Sequence, residues 1–282
     1  MITLTKPDSF NIQEILECGQ VFRFTDRSPE DRSILIYDIA AGNRFTTVEQ
    51  DSEVRFNTSR DEFDGFWHSY FDLDRNYSYI KKTLASNDLV LRDAVEFAPG
   101  IRLLQQDSWE ALISFIISQN NSIGNIKKII ERLCTRFGTD MGGFFAFPTA
   151  EQLIGATESE LQECRMGYRA GYIIDACSQM LSGSVDLSSG RPTDFLRTEL
   201  LKIKGIGAKV ADCVLLFGYR RYEYFPVDVW VKRVMEHFYF GGQTMSVSEI
   251  LRLASGSFGE YAGFAQQYLF HYARTGAIAR NN

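Results

Sequence analysis

Two glycines one residue apart, set between helix-forming runs, constrain this chain more than any other feature. The segment Leu201-Lys-Ile-Lys-Gly-Ile-Gly-Ala-Lys-Val-Ala-Asp-Cys213 is a poor candidate for one continuous helix, because glycine gives up the most backbone freedom there. It reads as the end of one helix, a tight turn at Gly205-Ile-Gly207 and the start of a second helix. Residues 193–218 thus form a helix–hairpin–helix unit. The amides opening the second helix have no intrahelical partner and lie at its positive end, so they can hold a phosphate. Gly205 and Gly207 let the backbone approach that ligand, with the Val210 amide beside them. Carbonyls of the preceding turn, at Leu201, Ile203 and Ile206, suit a structural monovalent cation bridging to the same phosphate. The glycine, lysine and hydroxyl spacing of a Walker loop is absent. Taken alone, the segment also fits a plain helix–turn–helix corner.

Lys209 falls in the first turn of the second helix. An amine attacks carbon only when neutral, and an ordinary lysine, with a pKa of about 10.4, is mostly protonated at neutral pH. Partial burial at the positive end of a helix is expected to lower that value. Nineteen residues on, in Phe225-Pro-Val-Asp-Val-Trp230, comes Asp228, placed to cap a helix over 229–238. A capping carboxylate is held rigidly and can stabilise positive charge developing on a sugar. Cys213 follows Lys209 by four residues on the same helix face, where it can border a pocket. Each residue also has a plain reading: a solvated lysine, a structural cap.

The net charge of −6 runs against nucleic-acid binding. Its distribution runs the other way: residues 1–100 carry net −7, 101–190 net −3 and 191–282, which contain the hairpin, net +4. The five cysteines are odd in number and form no C-x-x-C pair, which argues for reduced thiols in a cytosolic protein. Three scattered histidines without a close Cys/His cluster argue against a zinc or iron–sulfur site. No apolar run approaches the roughly 18 residues that cross a bilayer, and the start lacks a signal-peptide pattern.

The first 60 residues hold short β-prone runs at Val21–Phe24, Ser33–Tyr37, Arg44–Val48 and Glu53–Phe56, parted by turn residues. From about residue 61 helical patterns take over. Ser108 can cap a helix through Ile116, and Ser122 another that stops at Gly138. Thr157-x-x-Glu160 and Ser246-x-x-Glu249 match capping boxes. The expected class is α+β: a small N-terminal antiparallel sheet domain over 1–95, then a mostly helical region over 96–282.

The hairpin, Lys209 and Pro226-Val-Asp228 resemble the helix–hairpin–helix DNA glycosylase superfamily. Within it, Gly205-Ile-Gly-Ala-Lys-Val-Ala-Asp-Cys213 is similar to the 8-oxoguanine DNA glycosylase/AP lyase family. So are Glu17-Cys-Gly-Gln-Val-Phe-Arg23, Ile117-Ser-Gln-Asn-Asn-Ser-Ile123, Met166-Gly-Tyr-Arg-Ala170 and Gly263-Phe-Ala-Gln-Gln-Tyr-Leu-Phe270. The matches keep the family's order over most of the chain. The resemblance implies a bifunctional base-excision enzyme acting on 8-oxoguanine in duplex DNA, without a redox cofactor, a catalytic metal or an iron–sulfur cluster.

By that resemblance Lys209 is the Schiff-base nucleophile and Asp228 assists departure of the base. Gly19 would read the hydrogen on N7 that guanine lacks. Cys213 and Phe270 would sandwich the flipped base, with Pro226 beside it and Gln266 on its Watson–Crick edge. Asn120 would fill the hole in the duplex, Tyr168 wedge into the kink and Arg169 contact the estranged cytosine. Two positions depart from many eukaryotic relatives: Asn125 replaces a second arginine for the cytosine, and Trp230 replaces a histidine that contacts phosphate. Both point to a prokaryotic-type branch, and with one arginine fewer at Asn125 discrimination among opposite bases should be weaker. The enzyme is expected to act as a monomer in the cytoplasm, associated with the nucleoid. A glycosylase for another lesion, such as an alkylated purine, would not need Lys209. A purely DNA-binding hairpin module would not need Lys209, Asp228 and Gln266 together.

Overall fold

The computed structural model describes residues 1–86 and 88–277. Five short strands, β1 (Ile2–Thr5), β2 (Phe24–Asp26), β3 (Leu35–Ala41), β4 (Arg44–Gln50) and β5 (Glu53–Phe56), form an antiparallel sheet in the order β1-β5-β4-β3-β2. β3 and β4 turn back through Gly42-Asn43, with Ala41 opposite Arg44. Gly42 has φ +56°, as a two-residue hairpin turn requires. Tyr37, Ile39, Val48, Val54 and Phe56 point to one face, and that face packs on Ile12, Ile15 and an aromatic cluster around Trp67 and Phe71. The class is α+β, as the residue patterns imply.

Two strand assignments need correction. Of Val21–Phe24 only Phe24 joins the sheet, because Val21 turns into the sheet's core while Phe22 turns into the helical core. Their alternation reflects two cores, not one pleat. β1 carries no clear signal of its own, and pairs β5 through Ile2 opposite Phe56. The two cores do not divide at one position in the sequence: Leu104 packs with the sheet core, and Cys18 and Phe22 with the helical one. Leu73 packs on the sheet side, whereas Tyr77, Ile80, Leu84 and Leu91, on the helices Tyr77–Ala85 and Leu89–Phe97, bury into the helical core.

The helical region holds the hairpin helices Thr193–Lys202 and Ala208–Gly218, then Val229–Tyr239 and Ala262–Tyr272. Both anticipated capping boxes form, and a third arises at Thr149 and Gln152. Asp107, not Ser108, caps Ser108–Ser118. Gln20 stitches the two cores together: its amide donates to the carbonyls of Ile15 and Arg102 and accepts from the Leu104 amide. That bracing fixes the neighbouring Gly19. All five cysteines are free and buried. No helix among the described residues is long and apolar enough to cross a membrane.

Candidate active site

A cleft of about 800 Å³ opens where five segments meet: the second hairpin helix, the start of Val229–Tyr239, the helix Ala262–Tyr272, and the turns at Gly19 and Asn120. Lys209, Asp228, Cys213 and Pro226 line it from one side. Gly19, Gln266 and Phe270 line it from another, and Asn120, Tyr168, Gly207 and Val210 complete its rim. Residues scattered over 250 positions of sequence thus converge on one cavity.

Lys209 is half-buried, with its Nζ 5.7 Å from the centroid of the Phe115 ring. Asp228 caps the helix Val229–Tyr239: its Oδ1 accepts from the Trp230 amide at 3.0 Å and the Val231 amide at 2.8 Å. Its Oδ2 accepts no hydrogen bond among the described residues. Burial pushes the carboxyl above its ordinary value, while the two amides, Lys209 and Arg274 pull the other way. No ion pair within 4.0 Å joins Lys209 to Asp228 among the described residues. The Cys213 thiol, fully desolvated, is pushed up to about 11 and stays neutral, with the Lys209 charge acting against that rise.

The side lined by Gly19, Gln266 and Phe270 is closely fitted. Gly19 has φ +88°, and a Cβ built there would lie 2.9 Å from Cε1 of Phe270. Only glycine allows that approach. The carbonyls around it are taken: Glu17 accepts from Arg274, Cys18 from Gln267 and Gln20 from Gln106. The Gly19 carbonyl accepts none among the described residues. Gln266 is 6% exposed, and its Oε1 is buried without a hydrogen-bond partner among the described residues. A buried acceptor left single is uncommon and calls for an occupant. Pro226, also buried, closes the wall beside Asp228.

The opposite rim is braced from behind. Asn120 adopts φ +48°, a left-handed conformation for a residue with a side chain. Arg169 is 8% exposed and does not line the cleft. Its guanidinium donates to the Gln119 carbonyl at 3.0 Å through Nε, to that of Asn120 at 3.1 Å and to that of Met166 at 3.3 Å. Asn125 donates to Asn121 at 2.7 Å, stiffening the same loop. Tyr168, 53% exposed, sits at the edge with its hydroxyl donating to the Gln119 carbonyl at 3.4 Å and its ring under the Arg169 guanidinium.

At the hairpin, Gly205 takes φ +82° and packs so tightly on Tyr172 that a Cβ would lie 2.3 Å from the ring. The Gly205 and Gly207 amides make no backbone hydrogen bond among the described residues, whereas the Val210 amide donates to the Gly207 carbonyl at 3.1 Å. Leu201, Ile203 and Ile206 do not line the cleft. The Ile203 carbonyl accepts from Ile206, but no backbone amide caps those of Leu201 and Ile206 among the described residues.

Sequence reading missed Phe115, Gln267 and Arg274, which also line the cleft. For Arg274 a signal existed: Gln266, Phe270 and Arg274 recur every four residues on one helix face. Phe115 looked like ordinary core on an apolar helix. Trp230 lines the cleft as well, with Arg233 over its ring at 5.3 Å.

Comparison with known proteins agrees with this geometry. The family model for the 8-oxoguanine DNA glycosylase N-terminal domain matches residues 2–112, and that for HhH-GPD superfamily base excision DNA repair proteins matches residues 113–258. A probable N-glycosylase/DNA lyase of Methanothermobacter thermautotrophicus is 32% identical over 252 residues, covering 80% of this chain and 78% of the relative. An N-glycosylase/DNA lyase of Saccharomyces cerevisiae is 38% identical over 158 residues, covering 50% of this chain and 42% of that longer protein. Among solved structures, the Clostridium acetobutylicum 8-oxoguanine glycosylase/lyase, in complex with double-stranded DNA containing cytosine opposite 8-oxoguanine, superposes with a TM-score of 0.88 at 37% identity. That match covers 98% of this chain and 94% of the other. A 3-methyladenine DNA glycosylase of Archaeoglobus fulgidus, 21% identical with a TM-score of 0.75 and covering 99% and 100% of the two chains, shares the fold alone. The chain belongs to the 8-oxoguanine DNA glycosylase/AP lyase family of helix–hairpin–helix base-excision proteins.

Proposed function

We propose that this enzyme removes 8-oxoguanine from duplex DNA and then nicks the strand, with Lys209 as nucleophile. The observation that carries the reading is the convergence of Lys209 and Asp228 with Gly19, Gln266 and Phe270 on one cleft. The nitrogen of Lys209 bonds to C1′ of the sugar, and the bond from C1′ to the base breaks with its electron pair leaving on the base. Asp228, pinned by its two cap amides, supplies negative charge as the sugar turns positive. The sugar opens to an imine, loses a proton from C2′ and expels the 3′ phosphate by β-elimination.

Recognition follows from the same atoms. The unengaged Gly19 carbonyl can accept from the N7 hydrogen of 8-oxoguanine, where guanine offers only a second acceptor. Gln266 Oε1 gains a partner on the Watson–Crick edge, while Phe270 and the neutral Cys213 thiol flank the ring. Asn120, preset in its left-handed conformation, takes the place of the extruded base, and Tyr168 wedges beside it. Arg169 acts first as the brace of the Asn120 loop and turns to the cytosine only by releasing it.

The hairpin amides of Gly205 and Gly207 take a phosphate of the strand, with Val210 contributing the edge of the same turn. The carbonyls of Leu201, Ile203 and Ile206 fit a monovalent cation, since two of the three lack a backbone donor. Bound there, it would add positive charge beside that phosphate. One chain furnishes every group named, which supports action as a monomer. The test is a single-turnover assay on duplexes carrying 8-oxoguanine or an alkylated purine. Free 8-oxoguanine with a 3′ nick is expected, and preference for the alkylated purine would reject the assignment.

A further inference from the structure

The turn Glu17–Gln20 presents the Gly19 carbonyl, and side chains from elsewhere hold its other carbonyls. Gln106 comes from the core on which the turn already rests. Gln267 and Arg274 come from the C-terminal segment that also carries Gln266 and Phe270. Arg274 lies one helical step beyond Phe270, where the helix widens into a single π turn at Ala273–Ala277. Such turns recur at functional sites. Its guanidinium carbon stands 5.5 Å from the Phe270 ring centroid, its Nη2 donates to the Glu17 carbonyl, and it lines the cleft. Its Nε is buried without a hydrogen-bond partner, and no carboxylate pairs with it within 4.0 Å, among the described residues. A partly desolvated guanidinium with no carboxylate in direct contact, only the more distant charges of Glu17 and Asp228, is costly to keep, so packing alone does not account for an arginine here.

We propose that Arg274 is a positioning residue that locks the Gly19 turn to the Phe270 ring and thereby sets discrimination between 8-oxoguanine and guanine. The inference rests on the base-excision reading above. The clearance it controls is narrow, because a single methyl on Gly19 would stand 2.9 Å from Phe270. A hydrogen bond from N7 to the carbonyl holds only over a few tenths of an ångström around 3 Å. A turn free to drift would therefore lose its preference for the lesion before it lost the chemistry.

Strand cleavage at a preformed abasic site separates these roles, because it needs Lys209 but no base. Arg274→Met and Arg274→Lys are each assayed in single turnover on 8-oxoguanine, guanine and abasic duplexes. Arg274→Met is expected to lower 8-oxoguanine excision at least about tenfold further than abasic-site cleavage, the scale of one charge-assisted hydrogen bond. The ratio of 8-oxoguanine to guanine excision should fall by a similar factor. Arg274→Lys, which keeps the charge but not the planar fork, should recover only part of the loss. Equal losses on damaged and abasic duplexes, or an unchanged ratio, overturn the inference alone. A wild-type enzyme that leaves abasic DNA intact defeats the lysine chemistry and this inference together.

Discussion

Replacing Gly19 with alanine adds one methyl at the tightest point of the base pocket. Built on the present backbone, that methyl lies 2.9 Å from Phe270 Cε1, 3.4 Å from Cζ and 3.5 Å from Ile123 Cδ1. Carbon atoms settle about 3.5–4.0 Å apart, so the ring must retreat by roughly half an ångström to one ångström. Phe270 is half-buried and can swing, which makes the steric part cheap in stability and expensive in function. The backbone adds its own cost, since φ +88° suits glycine and costs an L-residue about 1–2 kcal/mol. For a chain of this size that is a fall in melting temperature of roughly 2–8 °C. In the pocket, loss of the stack (about 1 kcal/mol) and of one hydrogen bond (about 1–1.5 kcal/mol) slows excision about thirtyfold to sixtyfold. Single-turnover excision from an 8-oxoguanine:cytosine duplex at saturating enzyme, with a parallel melting curve, measures both. Gly19→Ala excising at the wild-type rate would refute the reasoning, whatever its stability.

Three further outcomes follow from the same geometry. Asp228→Asn keeps a good helix cap but removes the charge, so excision should drop about a hundredfold while the melting temperature at neutral pH does not fall. The sign is set by burial, which raises the carboxyl above its ordinary 3.8. The unfolded chain then releases that proton first, so ionising Asp228 destabilises the fold as pH climbs above 3.8. Wild-type excision should decline as pH is lowered through the raised value, and a clear loss of stability in Asp228→Asn at pH 7 would contradict this. Gly205→Ala meets both φ +82° and the Tyr172 ring. It should cost about 2 kcal/mol or more of stability and weaken binding even to undamaged duplex, whereas wild-type melting would argue against the tight hairpin packing. Since Asn125 is tied to Asn121 and Arg169 to backbone carbonyls, cleavage opposite cytosine should exceed that opposite adenine only modestly. Rates on four duplexes check it, and a strict cytosine requirement would show that Arg169 leaves its carbonyls readily.

Much of this site was legible because its chemistry is local in sequence. Gly205 and Gly207 announce a turn, Lys209 and Cys213 share a helix face by spacing alone, and Asp228 is recognisable as a cap. What the sequence left dark depends on long-range contact. Gln267 and Arg274 hold carbonyls some 250 residues away, which no local pattern records. Arg169 reads as a surface charge until its four donor contacts to Gln119, Asn120 and Met166 are seen. β1 escaped notice because a four-residue edge strand is defined by its partner β5. Val21 and Phe22 misled because neighbouring side chains serve different cores.

The central claim is that the Lys209 amine bonds to the sugar. Incubating wild type and Lys209→Gln with an 8-oxoguanine duplex in the presence of borohydride tests it directly, because reduction freezes an imine into a stable link. Wild type is expected to yield a protein–DNA adduct whose cross-linked peptide contains Lys209, and Lys209→Gln none. An equal adduct from the variant, or none from an excising wild type, would contradict the account.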